Sequence, residues 1–326
     1  MISKLQKPLK SGFNQKTEPD QILNNVDLFN KNIIITGGYS GIGLETTKAL
    51  KSAGARVIIP AKRQTHAQSL LANIVPEEDI YEMNLADLKS VSNFVESFSQ
   101  LNIKLDILIN NAGIMACPET RVGNNWESQF GINHIGHQVL VTKLMNNFRV
   151  DGNSRFISLS SSAHSISKIQ WDDIHFINSP YNKWAAYGQS KTASSLLAIE
   201  FDKKMKDKGV RGFAVHPGGI LTPLQRHLEN KEMVALGWKK EDGSLSDLAA
   251  KFFKSSTQGA STTLWCAVSK QLKDIGGVFC ENCDIAERKK FIDKSQQRYF
   301  GVADYAIDSE EAEKLWNITE EMISRH

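Results

Sequence analysis

Short β-branched runs recur along the chain, each followed by a longer stretch of helical periodicity. Asn32-Ile33-Ile34-Ile35 is the first such run and reads as a buried strand. Leu44, Thr47 and Leu50 then repeat at helical spacing, and that stretch stops at Gly54. Further strands are read at 56–59, 106–109, 155–159 and 210–215, and the alternation continues to about residue 279. Trp184 to Phe201 reads as a helix, with Ala193, Leu196, Leu197 and Ile199 as its apolar positions. Residues 124–148 read as one long helix, and 308–323 as an amphipathic one. Ahead of the first strand lies a polar arm, 1–16. Thr17 is then placed to cap a short helix, with Pro19 early in it and Asp20 at the capping-box position, and Ile22, Leu23 and Val26 would dock it on the core. There are no internal repeats. Strands and helices that alternate in this way predict an α/β fold.

The first strand runs into Thr36-Gly37-Gly38-Tyr39-Ser40-Gly41-Ile42-Gly43, and a helix follows. Gly37 permits a tight turn, Gly41 lets the backbone approach a phosphate, and Gly43 lets the helix pack closely on the strand. The open helix N-terminus offers N–H groups and a positive dipole end to an anion. The spacing is not G-x-G-x-x-G, and no Gly-Lys-Ser/Thr follows as in a mononucleotide P-loop. Small polar or glycine residues also end the strands at 110–113, 160–162 and 216–219. Strand ends of this kind would line one crevice, where open α/β sheets bind ligands.

Within the 184–201 helix, Tyr187 and Lys191 stand four apart and share a face. A free tyrosine, with a pKa of about 10, is a poor acid–base catalyst near neutrality. A nearby ammonium favours the phenolate and suits the pair to proton transfer. Taken alone, Tyr-x-x-x-Lys is also an ordinary surface pair.

Six pieces in order (Thr36-Gly37-x-x-x-Gly41-x-Gly43, Asn110-Asn111-Ala112-Gly113, Asn133, Ser161, Tyr187-x-x-x-Lys191 and Pro217-Gly218) resemble the short-chain dehydrogenase/reductase family over about residues 25–285. The runs 129–137, 160–164 and 187–193 resemble its retinol dehydrogenase and WW-domain-containing oxidoreductase branch. The resemblance implies a single-domain Rossmann-type, doubly wound parallel sheet with helices on both faces. It implies a carbonyl–alcohol oxidoreductase in which Tyr187 is the acid/base and Lys191 lowers its pKa and holds the nicotinamide ribose. Ser161 would hydrogen-bond the substrate oxygen, and Asn133 would anchor a proton-relay water. The implied cofactor contacts are Thr36, Gly37, Tyr39, Ser40, Gly41, Ile42, Gly43, Lys62, Arg63, Asn84, Leu85, Asn111, Ala112, Gly113, Tyr187, Lys191, Pro217, Gly218, Ile220 and Thr222. Asn84 stands where relatives usually carry an aspartate near the adenine. The segment from Ile169 onward, an insert before Tyr187, is expected to shape the rim of the site. Lys62 and Arg63 end a segment without carboxylates, where NAD-preferring enzymes place an acid for the ribose 2′-OH. NADP(H) is therefore the expected cofactor, with NAD(H) left open. A cofactor-bound sensor or scaffold is the alternative, although it need not keep all of Ser161, Tyr187 and Lys191. A sugar-nucleotide epimerase or dehydratase is a third reading, but its tighter Gly-x-x-Gly-x-x-Gly spacing is absent.

Composition adjusts this picture little. The motifs of the 326-residue chain serve one sheet, so one domain is expected at 31–285, with an N-terminal arm and short helix (1–30) and a C-terminal helical extension (286–326). Residues 223–255, with Leu224, Leu228, Met233, Leu236, Trp238, Phe252 and Phe253, form the expected lid; these side chains face either an apolar substrate or the core. A formal charge of +3 does not argue for nucleic-acid or membrane binding. No run approaches the ~18–20 apolar residues of a spanning helix, and the N-terminus lacks a secretory h-region. The expected protein is cytoplasmic, has no membrane anchor, acts on a small carbonyl or alcohol, and is compatible with a homo-oligomer. No metal site is read: Cys280 and Cys283 have no second pair, and His134 and His137 no carboxylate motif. The cysteines read as reduced thiols beside the last strand, and the histidines as packing residues.

Overall fold

In the computed structural model, which describes residues 1–294, 296–297 and 299–325, the apolar runs become neighbours in one sheet. In chain order the strands are β1 (Asn32–Ile35), β2 (Arg56–Ala61), β3 (Ile80–Glu82), β4 (Ile107–Asn110), β5 (Arg121–Val122), β6 (Trp126–Glu127), β7 (Ser154–Leu159), β8 (Val210–His216), β9 (Val278–Glu281) and β10 (Asp284–Ile285). The sheet runs β10-β9-β8-β7-β4-β1-β2-β3, while β5 and β6 form a separate hairpin. All pairings in the large sheet are parallel except β9 with β10. The chain winds outward from β1 to β3 and then restarts at β4 on the other side of β1. That reversal opens a crevice at the carboxyl ends of β1 and β4.

Strand alternation divides the core in two. Ile33 and Ile35 face one layer with Val57, Ile109 and Val215, and Ile34 faces the other with Ile58, Leu108 and Phe156. The first layer is covered by α1 (Pro19–Leu23), α2 (Gly41–Ser52), α3 (Gln64–Leu71) and α10 (Ser256–Val268). The second is covered by α4 (Leu88–Gln100), α5 (Ser128–Phe130), α6 (Gly136–Leu144), α7 (Lys183–Met205) and α11 (Ser309–Ser324), whose Leu315 and Trp316 are buried there. Two short helices, α8 (Asn230–Ala235) and α9 (Asp247–Phe252), lie between β8 and α10.

Four local expectations are corrected. The helix around Asn133 starts at Ser128, not Asn124, because Gly123 and Asn125 take positive φ (50° and 61°) and turn the β5–β6 hairpin. A π turn at Gly131–Ile135 then carries Asn133 into α6. The first helix is capped one residue later than expected. Glu18 is the N-cap and its N–H donates to Gln21 Oε1 (2.8 Å), while Thr17 Oγ1 accepts from Asn14 instead. The arm 1–16 is not merely polar. Buried Gln6 donates to the Phe279 and Ala286 carbonyls (3.0 and 2.8 Å) and accepts from Phe279 N (2.8 Å), satisfying backbone groups at the sheet edge. The insert does not line the cavity described below. Ile169, Ile174 and Phe176 are buried elsewhere, Arg121 holds the His175 and Phe176 carbonyls, and Trp171 donates to Glu311 (3.0 Å).

Candidate active site

The glycine turn leaves β1 as a backbone cradle. Gly37 and Gly41 have φ of +65° and +51°. A Cβ at Gly43 would lie 2.3 Å from the Gly37 carbonyl oxygen, so only glycine lets α2 come this close. The Ser40 side chain makes no bond to the first turn of α2, leaving its N–H groups for an anion. A cradle of this shape at a helix N-terminus fits a dinucleotide pyrophosphate.

Behind the cradle runs a chain of hydrogen bonds that the sequence did not reveal. Thr36 Oγ1 accepts from Asn111 N (3.0 Å) and Ala112 N (2.9 Å), so its own proton goes to His137 Nε2 (2.9 Å). His137 therefore carries its proton on Nδ1 and donates it to the Asn133 carbonyl (3.0 Å). The Asn133 side chain accepts from Ile114 N (2.9 Å) and donates to Ile114 O (2.9 Å) and Ser190 Oγ (3.0 Å). Ser190 donates in turn to the Tyr187 carbonyl (2.8 Å). The glycine loop and the helix bearing Tyr187 are thus joined through a buried, neutral imidazole, whose pKa burial lowers to about 4. His134 packs nearby with Nε2 on Thr319 Oγ1 (2.9 Å), matching its reading as a packing residue.

Tyr187 and Lys191 share one face of α7 and both are buried. Burial pushes the Tyr187 phenol up to about 12, and the Ser161 hydroxyl, bonding the phenolate, pulls the other way. Burial also lowers the Lys191 ammonium to about 8. Its Nζ lies 5.8 Å from the Tyr187 ring centre and donates to the Leu159 carbonyl (2.9 Å). Ser160 fixes the same helix from below by donating to the Lys191 carbonyl (2.7 Å). Ser161, at the end of β7, accepts from Ala163 N (3.2 Å).

These groups open onto a cavity of about 1090 Å³. Every residue that the sequence assigned to the cofactor lines it, as do Ser161, Tyr187 and Lys191. Asn133 does not; it stands behind the wall, with both ends of its amide bonded. Asn84 is half-buried and caps its own turn by accepting from Ala86 N (3.2 Å). Of the apolar lid candidates, Leu224, Leu228, Met233, Leu236 and Trp238 pack with Met115, Trp184 and Tyr187 into one cluster, apart from the two main cores. Ring contacts run from Tyr187 to Trp184, Trp238 and Phe253, with centroids 6.4, 6.1 and 5.9 Å apart. His216 and Lys254 are both buried and both line the cavity; the sequence placed His216 at a crevice-lining strand end but gave it no role, and nothing local marked Lys254. Cys280 and Cys283 are free and buried beside β9, with the Cys283 thiol pushed up to about 11 by burial, in keeping with inert thiols.

Residues 31–233 match the short chain dehydrogenase profile. The chain belongs to the short-chain dehydrogenase family. It is accordingly an oxidoreductase that acts on alcohol or carbonyl groups with a nicotinamide dinucleotide. Among its short-chain relatives is the short-chain dehydrogenase/reductase prx1 of Penicillium roqueforti, 34% identical over 311 residues, which cover 94% of this chain and 87% of that one. Retinol dehydrogenase 12 of Mus musculus is 34% identical over 304 residues, covering 92% and 88%. The crystal structure of an uncharacterized protein from Mycobacterium Paratuberculosis superposes with a TM-score of 0.68 at 26% identity, covering 92% and 96%. Among the described residues no helix is long and apolar enough to cross a membrane.

Proposed function

We propose that this dehydrogenase interconverts a carbonyl and an alcohol on an apolar substrate, with NADP(H) as the preferred cofactor. The observation that carries the reading is that Tyr187, Lys191 and Ser161 open onto the same cavity as the glycine cradle, beside an apolar wall of Met115, Trp184, Leu236 and Trp238 that packs against Tyr187. The nicotinamide supplies or accepts the hydride. Ser161 holds the substrate oxygen, and Tyr187 gives it a proton during reduction. That direction starts from the neutral phenol, the form that burial favours. The reverse direction starts from the phenolate, which Ser161 and the Lys191 ammonium stabilise. Asn133 acts from behind the wall, holding Ile114 and Ser190 so that α7 keeps its distance from the cradle. NADP(H) preference rests on Lys62 and Arg63, exposed at the cavity edge where β2 ends, in a segment without carboxylates. Two cations there pair with a 2′-phosphate.

A panel of aldehydes, ketones and alcohols with both cofactors, followed at the reduced-nicotinamide absorption band, tests this reading. Carbonyl-dependent oxidation of NADPH is expected, faster for apolar than for small hydrophilic carbonyls. Absence of turnover across the panel with either nucleotide would sink it.

A further inference from the structure

Beneath Gly218 the cavity wall changes character. Phe253 points into the aromatic wall and packs on Trp238. The next residue, Lys254, lays its stem against Gly218; a Cβ there would lie 2.8 Å from Lys254 Cδ. Lys254 is only 8% exposed, and among the described residues its ammonium has neither a hydrogen bond nor an ion pair. A buried ammonium without a partner is costly, so its position on a cavity wall calls for an acceptor.

A second donor stands beside it. His216 is 6% exposed and lines the same cavity. Its Nδ1 accepts from Ser162 N (3.2 Å) and Gly218 N (3.4 Å), so its proton sits on Nε2. That N–H has no acceptor among the described residues. The surrounding charges leave the locality positive. Glu281 acts on Lys254 through space without forming an ion pair, and its Oε1 is taken by Gly301 N (2.8 Å). Burial pushes this carboxyl up to about 7, which weakens its charge at neutral pH. Lys289 acts on His216 and Glu281 as a further cation, and Lys16 acts on Lys254. His164 is buried and neutral, and the Cys283 thiol is held protonated.

We infer that Lys254 and the His216 Nε2–H form an anion subsite within the cavity, which takes a carboxylate carried by the substrate. Resting on the function proposed above, this narrows the substrate to an amphiphile. Its apolar body lies along Trp184, Trp238 and Phe253, its carbonyl meets Tyr187 and Ser161, and its acidic end reaches Lys254. His216 also ties the Ser161–Ser162 loop to Gly218, so occupation of the subsite is sensed where the substrate oxygen binds.

The test compares ω-oxo acids of six, nine and twelve carbons with their methyl esters as substrates of the full chain with NADPH. At one or more lengths, kcat/KM for the acid should exceed that for the ester by on the order of tenfold, the worth of one charge-assisted hydrogen bond. Lys254→Met should bring that ratio to about one, and Lys254→Arg should largely retain it. Equal values for acid and ester at every length in the wild type overturn the inference. So does a ratio that survives Lys254→Met, or a Lys254→Met variant that loses acid and ester turnover alike, which would make Lys254 only a structural partner of Glu281. A second arm needs neither turnover nor a stable variant: decanoate and methyl decanoate binding to the wild-type chain saturated with NADP+, which occupies the glycine cradle, measured by calorimetry. Tighter binding of decanoate supports the subsite, and equal binding rejects it. If no aldehyde is reduced yet decanoate is preferred, the functional reading falls and the subsite stands.

Discussion

Tyr187, Lys191 and Asn133 are at most 6% exposed, and a continuous run of hydrogen bonds ties the helix they brace to the glycine loop. Between Pro223 and Lys254, by contrast, only Leu228, Ala249 and Lys254 are buried, and both helices there are six residues long. The segment touches the rest of the molecule through a small apolar cluster with Met115, Trp184 and Tyr187, through aromatic contacts, and through a partly exposed ion pair, Lys183 with Glu232. The catalytic floor is therefore set before substrate arrives, because moving any polar member would leave a buried group unpaired. The segment above it has little burial to lose on opening. In the function proposed above, the floor would orient the reacting groups, and residues 223–255, the expected lid, would govern admission and shape.

The sharpest way to break this contrast is at the floor. Tyr187→Phe should lower kcat by a factor on the order of 10² or more while the nucleotide still binds; wild-type turnover would remove Tyr187 from the chemistry. His137→Ala strands Thr36 Oγ1 and the Asn133 carbonyl. It should cost about 2 kcal/mol of stability in denaturant titration and reduce kcat, with His137→Gln recovering part of both. An unchanged variant would show that the floor does not depend on its imidazole link. At the cavity edge, replacing Lys62 and Arg63 together by alanine should weaken NADPH binding by on the order of tenfold relative to NADH. An unchanged ratio in fluorescence titration would remove them as the source of selectivity.

Acid tests the floor differently. His134, His137, His164 and His175 are held neutral by burial, at about 3, 4, 4 and 4. Their folded values lie below the unfolded value of 6.5, so the stability they permit is full above about 6.5 and is lost as pH falls toward 4. Glu281, raised to about 7 by burial, has the opposite sign, as do Glu127 and Glu200, which burial also raises, but the four histidines outnumber them. The thermal midpoint should fall by several degrees between pH 6.5 and 4.5, and a flat profile would mean that the histidines are not dry. The smallest effect belongs to the lid. Glu232→Gln removes the half-exposed pair with Lys183 and should change global stability by less than about 1 kcal/mol. It should nevertheless speed amide exchange in 230–252 selectively. Exchange as slow as in α7 would show that the segment is core rather than lid.

The chain's pattern alone was enough for the strand–helix alternation, the glycine turn and the Tyr187–Lys191 face, because each is set by neighbours within a few residues. Periodicity in such windows reports which side of an element is buried. The corrected boundaries also had local causes that were readable in principle: Gly123 and Asn125 are turn-forming residues inside what reads as helix. Other features came only with the tertiary structure. Gln6 finds the sheet edge more than 270 positions away in sequence, and Thr36 meets His137 across 101 positions. His216 and Lys254 come together because β8 ends where the chain returns from the lid. No local pattern marks such pairs. Hydrogen bonds and charges act over a few ångströms of space, and only the winding of the sheet decides which distant residues share those ångströms.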